Sequence, residues 1–178
     1  MKLPEKYIIF NLHSKGSDVN VLLLEKIGEL FNCLNKKGYS IIFLGNKYYK
    51  EDDDRIFLEK LFKYYEGKVK NISLISKKLD SVDTKAVISL SQGVISSRYH
   101  LCVYGLSSNK VSIPIYSNDY YKTKMEGLLE WFGLKNLGLS QDRLKNFKLD
   151  DISNLVKLFN KKPLIKQIQS ANRDVRIL

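Results

Sequence analysis

The sequence predicts an α/β fold, an open parallel sheet covered by helices on both faces. Two observations carry that expectation. Compact apolar runs alternate along the chain with stretches whose apolar residues recur at helical spacing. The runs are near-continuous, as strands buried on both faces are, and the intervening stretches are long enough to be crossover helices. With 178 residues, 44% of them hydrophobic and 28% charged, the chain suits one packed domain with at most a short appendage, and wholesale disorder is excluded.

Taken in order, Tyr7-Ile8-Ile9-Phe10 is a β-rich run ended by the polar stretch Asn11 to Asp18. Val19 to Lys37 reads as a helix, with Leu22, Leu23, Lys26, Ile27, Leu30, Phe31 and Leu34 along one stripe and Gly38 where a left-handed C-terminal cap belongs. Tyr39 to Leu44 is a second buried strand, closed by Gly45-Asn46. The acidic run Glu51–Asp54 precedes a helix carrying Ile56, Leu58, Leu61, Phe62 and Tyr65, so negative charge sits at the positive helix end. Val69 to Ile75 is a third strand and Val82 to Leu90 a short helix. Val94-Ile95 is a short strand after Gly93, Arg98 to Leu106 a helix, Val111 to Tyr116 a strand, and Lys124 to Phe132 a helix ending at Gly133. Asp151 to Phe159 and Pro163 to about Asp174 read as basic helices. The order is that of a Rossmann-like layer sandwich with right-handed connections. Residues 1–142 form that domain, and residues 143–178 a basic helical C-terminal extension.

Thirty basic and nineteen acidic side chains leave a net charge of +11. Residues 143–178 hold nine of the basic and three of the acidic groups, so a nearly balanced domain carries a basic tail. The excess is mostly lysine in a chain rich in Asn, Ile and Tyr, which reads as solvated surface rather than a nucleic-acid footprint. No apolar stretch approaches the about 20 residues of a membrane helix, and the N-terminus has no signal-peptide pattern. Cys33 and Cys102 are far apart in apolar helical patterns, which suits buried thiols in a reducing cytosol rather than a disulfide or zinc site. Two histidines and scattered carboxylates supply no metal-ligand spacing.

Ligands of such sheets bind beyond the carboxyl ends of the strands, near helix N-termini. The residues there are Asn11, His13, Ser14, Lys15 and Gly16 after the first strand, and Gly45, Asn46 and Lys47 after the second. Ser96 to His100 follow the fourth strand, and Ser117 to Asp119, Tyr121, Lys122 and Lys124 the fifth. No GxGxxG and no GxxxxGK[ST] is present, so no standard glycine-rich loop grips a nucleotide phosphate. Ser97-Arg98-Tyr99-His100 is the sharpest feature. Arg98 offers a planar fork for a phosphate or carboxylate, and His100 exchanges protons near neutral pH.

The stretch from Leu90 to Leu134 resembles the polysaccharide pyruvyl transferase family. There an apolar strand leads into Arg-x-His, here Arg98-Tyr99-His100, and a strand with proline follows, here Val111 to Ile115. A Tyr-x-x-Lys, here Tyr121 to Lys124, then opens a helix ending in Gly-Leu, here Gly133-Leu134. Asp52–Asp54 stand where the family often has an acidic position. Gln92 stands where many members carry an acid, and His13 near a position commonly held by arginine. The resemblance spans about residues 6–140 and implies the C-terminal domain of a two-domain, GT-B-like protein, with Met1 to Lys6 as the end of an interdomain linker.

The implied reaction moves pyruvate from phosphoenolpyruvate onto a sugar of a cell-surface polysaccharide or its lipid-linked precursor, forming a ketal without a further cofactor. Arg98 would hold the anionic donor, His100 would supply the proton, Lys124 would assist phosphate departure, and Ser97, His13 and Tyr121 would line the site. The implied setting is the cytoplasm, at the inner membrane face that the basic tail can approach. A separate N-terminal domain chain or a second copy would complete the cleft. Two other readings stand beside this one. One is a GT-B-like glycosyltransferase domain that binds a nucleotide sugar at the same helix end. The other is a non-catalytic remnant acting as a binding module. Without a second domain for the C-terminal helix to cross to, the apolar positions Ile152, Leu155, Val156 and Phe159 need another surface, which self-association of the tail would supply.

Overall fold

The computed structural model describes residues 3–13, 19–49 and 52–175. The chain runs β1 (Tyr7–Asn11), α1 (Val21–Lys36), β2 (Ser40–Leu44), β3 (Tyr48–Tyr49), β4 (Asp52–Asp53), α2 (Asp54–Tyr65), β5 (Ile72–Ile75) and α3 (Ser81–Ser89). It continues through β6 (Gly93–Ser96), α4 (Tyr99–Ser107), β7 (Val111–Tyr116), α5 (Asp119–Trp131), β8 (Leu139–Ser140), α6 (Gln141–Lys145), α7 (Leu149–Lys157), a 3-10 turn (Leu158–Asn160) and α8 (Lys162–Val175). Six strands form one parallel sheet in the order β5-β2-β1-β6-β7-β8, and β3 and β4 pair antiparallel outside it. The strand order reverses between β1 and β6, where a crevice opens beyond their carboxyl ends.

The central strands are buried along their whole length, which is why they read as unbroken apolar runs. Their two faces fill separate clusters. Ile8, Phe10, Ile41 and Phe43 face α1 and α2, whereas Tyr7, Ile9, Ile42 and Val94 face α3 and α4. On α1, Leu23, Ile27, Leu30, Phe31 and Leu34 are buried, and Phe31 meets Phe10 edge-on at 4.8 Å between ring centroids. Two expected members of that stripe lie off it: Leu22 is exposed, and Lys26 pairs with Glu29 at 2.9 Å. Asn20 caps the helix through the Leu23 N–H, and Gly38 adopts φ +80° after its end, as expected. Cys102 is fully buried, but Cys33 is only half-buried, because its side of α1 borders solvent.

The C-terminal helices are part of this fold rather than an appendage to it. Leu144, Phe147, Ile152, Leu155, Val156, Phe159 and Ile168 are all buried in the cluster that contains Ile8, Phe10 and Ile41. The apolar side chains thought to need another surface therefore find it on α1 and the sheet, and the boundary at residue 142 falls inside α6. Phe159 lies directly over Gly93, where an added Cβ would overlap its ring and come within 2.8 Å of the Val111 carbonyl oxygen. Phe159→Ala is expected to lower stability by about 3–5 kcal/mol, read from the denaturant midpoint. An unchanged midpoint would mean that the tail folds independently.

Candidate functional site

The crevice at the β1–β6 switch point is organised around one buried arginine. Arg98 lies two residues beyond β6, at the N-cap of α4; its backbone N–H donates to Ser96 Oγ at 2.9 Å, and only 9% of its surface is exposed. The fork expected to stand open to an anion is filled by two carboxylates. Nε and Nη2 donate to Asp54 Oδ1 at 2.9 and 2.6 Å, while Nη2 and Nη1 donate to Asp52 Oδ1 and Oδ2 at 2.6 and 3.3 Å. Among the described residues these four bonds leave one of the five guanidinium N–H groups over.

Asp54 is the joint of the network. It is 1% exposed and also accepts from the backbone N–H groups of Asn46 and Lys47, at 2.9 and 3.1 Å, and from Asn11 Nδ2 at 3.3 Å. It thereby ties the carboxyl ends of β1, β2 and β6 to the start of α2. The neighbouring Asp53 plays the role expected of the acidic run, capping α2 through the Arg55 N–H at 2.9 Å. Asp52 also accepts from Lys47 Nζ at 2.7 Å. Burial alone would raise its carboxyl, but the hydrogen bonds from Arg98 and Lys47 outweigh that and hold it at about 2, so it is charged throughout the neutral range. Burial likewise opposes the charge on Arg98, and the two aspartates overcome it and raise the guanidinium above its ordinary value.

Two adjoining cavities open on this network. The first, about 400 Å³, gathers Ser97, Arg98, His100, Tyr121 and Lys124, five of the six residues anticipated as site residues. The second, about 370 Å³, lies between the loops after β2 and β5 and has Tyr48, Lys78 and Tyr104 on its walls. Asn46, Lys47, Tyr49 and His100 line both. His100, the second residue of α4, is exposed and stands between them, and Lys124 Nζ lies 4.6 Å from the centre of the Tyr99 ring. Tyr121 and Lys124 share one face because α5 begins at Asp119, capped by Asn118 through the Tyr121 N–H at 3.1 Å, and not at Lys124 as expected.

The sixth residue, His13, is 3% exposed and lies behind the cavity. Its backbone N–H donates to Ser97 Oγ at 2.9 Å, its Nδ1 is 2.6 Å from the same oxygen, and its ring meets Tyr121 edge-on. Ser97 and His13 thus bind each other. Ser14, Lys15 and Gly16 lie outside the described residues. Gln92, in the place of a common family acid, is remote from the site, since its Oε1 accepts from the Tyr7 N–H at 2.7 Å at the opening of β1. Lys47 was expected at a strand end and Asp52–Asp54 at an acidic position of the family pattern, but the pairing of Asp52 and Asp54 with Arg98 was not expected. A charged group at a buried strand end requires a counter-charge, and the run from Glu51 to Asp54 is the densest source of one.

The glycosyltransferase of kitacinnamycin aligns over 99% of this chain and 41% of its own, with a TM-score of 0.61 at 12% identity. The S. aureus MnaA–UDP complex aligns over 94% and 40%, with a TM-score of 0.63 at 15% identity. The Thermobaculum terrenum O-GlcNAc transferase aligns over 96% and 32%, with a TM-score of 0.60 at 17% identity. These likenesses show a Rossmann-like domain of the GT-B type, and the chain spans less than half the length of each protein. No sequence among the curated proteins matches the chain. A model of the polysaccharide pyruvyl transferase family, in contrast, matches residues 3–120, from before β1 through the Arg98–His100 segment to the start of α5. With the strand order and the site built on that segment, the chain belongs to the polysaccharide pyruvyl transferase family.

Proposed function

We propose that the site transfers pyruvate from phosphoenolpyruvate to two hydroxyls of a sugar, forming a ketal and releasing phosphate. The observation that carries this reading is the cavity whose lining brings Arg98, Lys124 and His100 together. Arg98 and Lys124 supply cations for the donor's carboxylate and phosphate. Protonation of the enol methylene by His100 leaves a cationic carbon, which one sugar hydroxyl attacks while losing its proton. The carbon–oxygen bond to phosphate then breaks, Lys124 stabilises the leaving dianion, and a second hydroxyl closes the ketal with loss of its own proton. The proton of the first hydroxyl leaves on the phosphate, which departs as hydrogen phosphate, and the proton of the second restores His100. The neighbouring cavity, with tyrosine rings and polar loop ends on its walls, suits the sugar acceptor.

The same reading places the reaction in the cytoplasm, at a membrane face that carries the acceptor. Exposed Lys157, Lys161, Lys162 and Lys166 on the C-terminal helices support contact with that anionic surface. Among the described residues no helix is long and apolar enough to cross a membrane. Tyr49 and Tyr120, 73% and 69% exposed at the cavity mouth, support closure of the site by a second α/β domain.

Calorimetry tests the assignment. Phosphoenolpyruvate is expected to bind the wild type, and Arg98→Ala to abolish binding in a protein shown by circular dichroism to be folded at the assay temperature, at lower stability. Tighter binding of UDP than of phosphoenolpyruvate would overturn it in favour of glycosyl transfer. Binding of neither would overturn it in favour of a non-catalytic module.

A further inference from the structure

The two carboxylates that hold Arg98 are fixed in different ways. Asp54 is locked into the fold, with two backbone N–H groups and the buried Asn11 amide on one oxygen. Among the described residues the carboxylate partners of Asp52 are two cationic side chains. Its Oδ1 takes Arg98 Nη2 at 2.6 Å, and its Oδ2 takes Arg98 Nη1 at 3.3 Å and Lys47 Nζ at 2.7 Å. A planar guanidinium edge and an ammonium converging on one oxyanion is the arrangement that recognises a ligand carboxylate or phosphate. Arg98 and Lys47 both line the cavity where such a ligand would sit.

We propose that Asp52 is a built-in surrogate for the anionic substrate, an intramolecular carboxylate that a substrate phosphate or carboxylate displaces from Arg98 and Lys47 while Asp54 keeps the guanidinium in place. This deepens the reading of the cavity as an anion site and rests on it. With Asp52 seated, Arg98 and Lys47 are balanced by two aspartates and the cluster is neutral. Once Asp52 is displaced, the pair carries a net positive charge toward the ligand. A singly charged anion gains nothing by exchanging with Asp52, whereas a donor with phosphate and carboxylate on one small skeleton engages Arg98, Lys47 and Lys124 together. Asp52 therefore sets specificity for polyvalent anions, and it lowers apparent affinity by the fraction of molecules in which it occupies the site.

Asp52→Asn removes the competing charge and keeps the shape. Titrated separately with inorganic phosphate and with phosphoenolpyruvate, this variant is expected to bind both about tenfold more tightly than the wild type. Equal or weaker binding of phosphate by Asp52→Asn would overturn the proposal and make Asp52 a support of Arg98. Tighter phosphate binding with no preference for phosphoenolpyruvate over phosphate in either protein would uphold the surrogate and overturn the pyruvyl reading instead. A measurement on the unaltered protein guards against a variant that folds poorly. In protein carrying carbon-13 in its aspartate carboxyls, saturating phosphate is expected to shift the Asp52 resonance and leave Asp54 in place. A stationary Asp52 resonance would overturn the proposal.

Discussion

Asp54→Ala is expected to lower folding stability by about 3–5 kcal/mol, with the unfolding midpoint falling accordingly, because it leaves a buried cation half-paired. Arg98 would keep only Asp52, on a side chain that neither backbone nor buried amide holds, while Nε faced a void. The N–H groups of Asn46 and Lys47 and the Asn11 amide would lose an acceptor in the same step. Asp54→Asn would not repair this, since an amide brings two donors into a site already crowded with donors. Removing the cation as well should help. In a double-mutant cycle with Arg98→Met, the pair is expected to lose less stability than the two single losses added, because no unpaired charge remains. Strict additivity would show that Asp54 and Arg98 do not depend on each other. The site and the fold are thus one object here, since the carboxylate that closes the loops after β1 and β2 also aims the arginine.

Why some of this was legible in the sequence and some was not follows from chain distance and element length. β1, β2 and β7 are buried on both faces, so their sequences carry one unmixed signal and their positions were readable. β3, β4 and β8 have two residues each, too few for any periodicity, and their existence depends on pairing across space. The polar residues Asn118 to Lys122 read as loop because the cap and first turn of α5 carry few apolar side chains. The tail read as separate because an apolar stripe at Ile152, Leu155, Val156 and Phe159 shows that a surface is needed but not which one, and here it is the core of the same chain. In the site, Arg98 and His100 were visible as polar residues at the end of an apolar strand. Their environment was not, because Asp54 stands 44 positions from Arg98. Nor did composition separate the roles of the aspartates. Successive residues at a helix start point about 100° apart, so Asp53 turns to the α2 backbone while Asp54 turns into the crevice.

His100→Ala is expected to lower the turnover of ketal formation by about 10²- to 10⁴-fold while leaving the affinity for phosphoenolpyruvate near its original value. The separation of the two effects comes from position. In the proposed reaction the buried Arg98 and the cation of Lys124 would hold the donor, whereas His100 is exposed on the first turn of α4, among the residues shared with the second cavity. A group there faces the donor's methylene carbon from one side and the attacking hydroxyl from the other, so one imidazole can deliver a proton and recover one. His100→Gln keeps hydrogen bonding but no proton exchange near neutral pH, and should be as slow as the alanine variant. A glutamine variant that kept most of the turnover would make His100 a positioning residue, and an alanine variant with full turnover would move proton delivery elsewhere. If both variants also lost donor affinity, His100 would hold the substrate, and the division of labour between a buried arginine and an exposed acid would fail. The division is expected to hold because the Asp54 network fixes Arg98 with no help from His100.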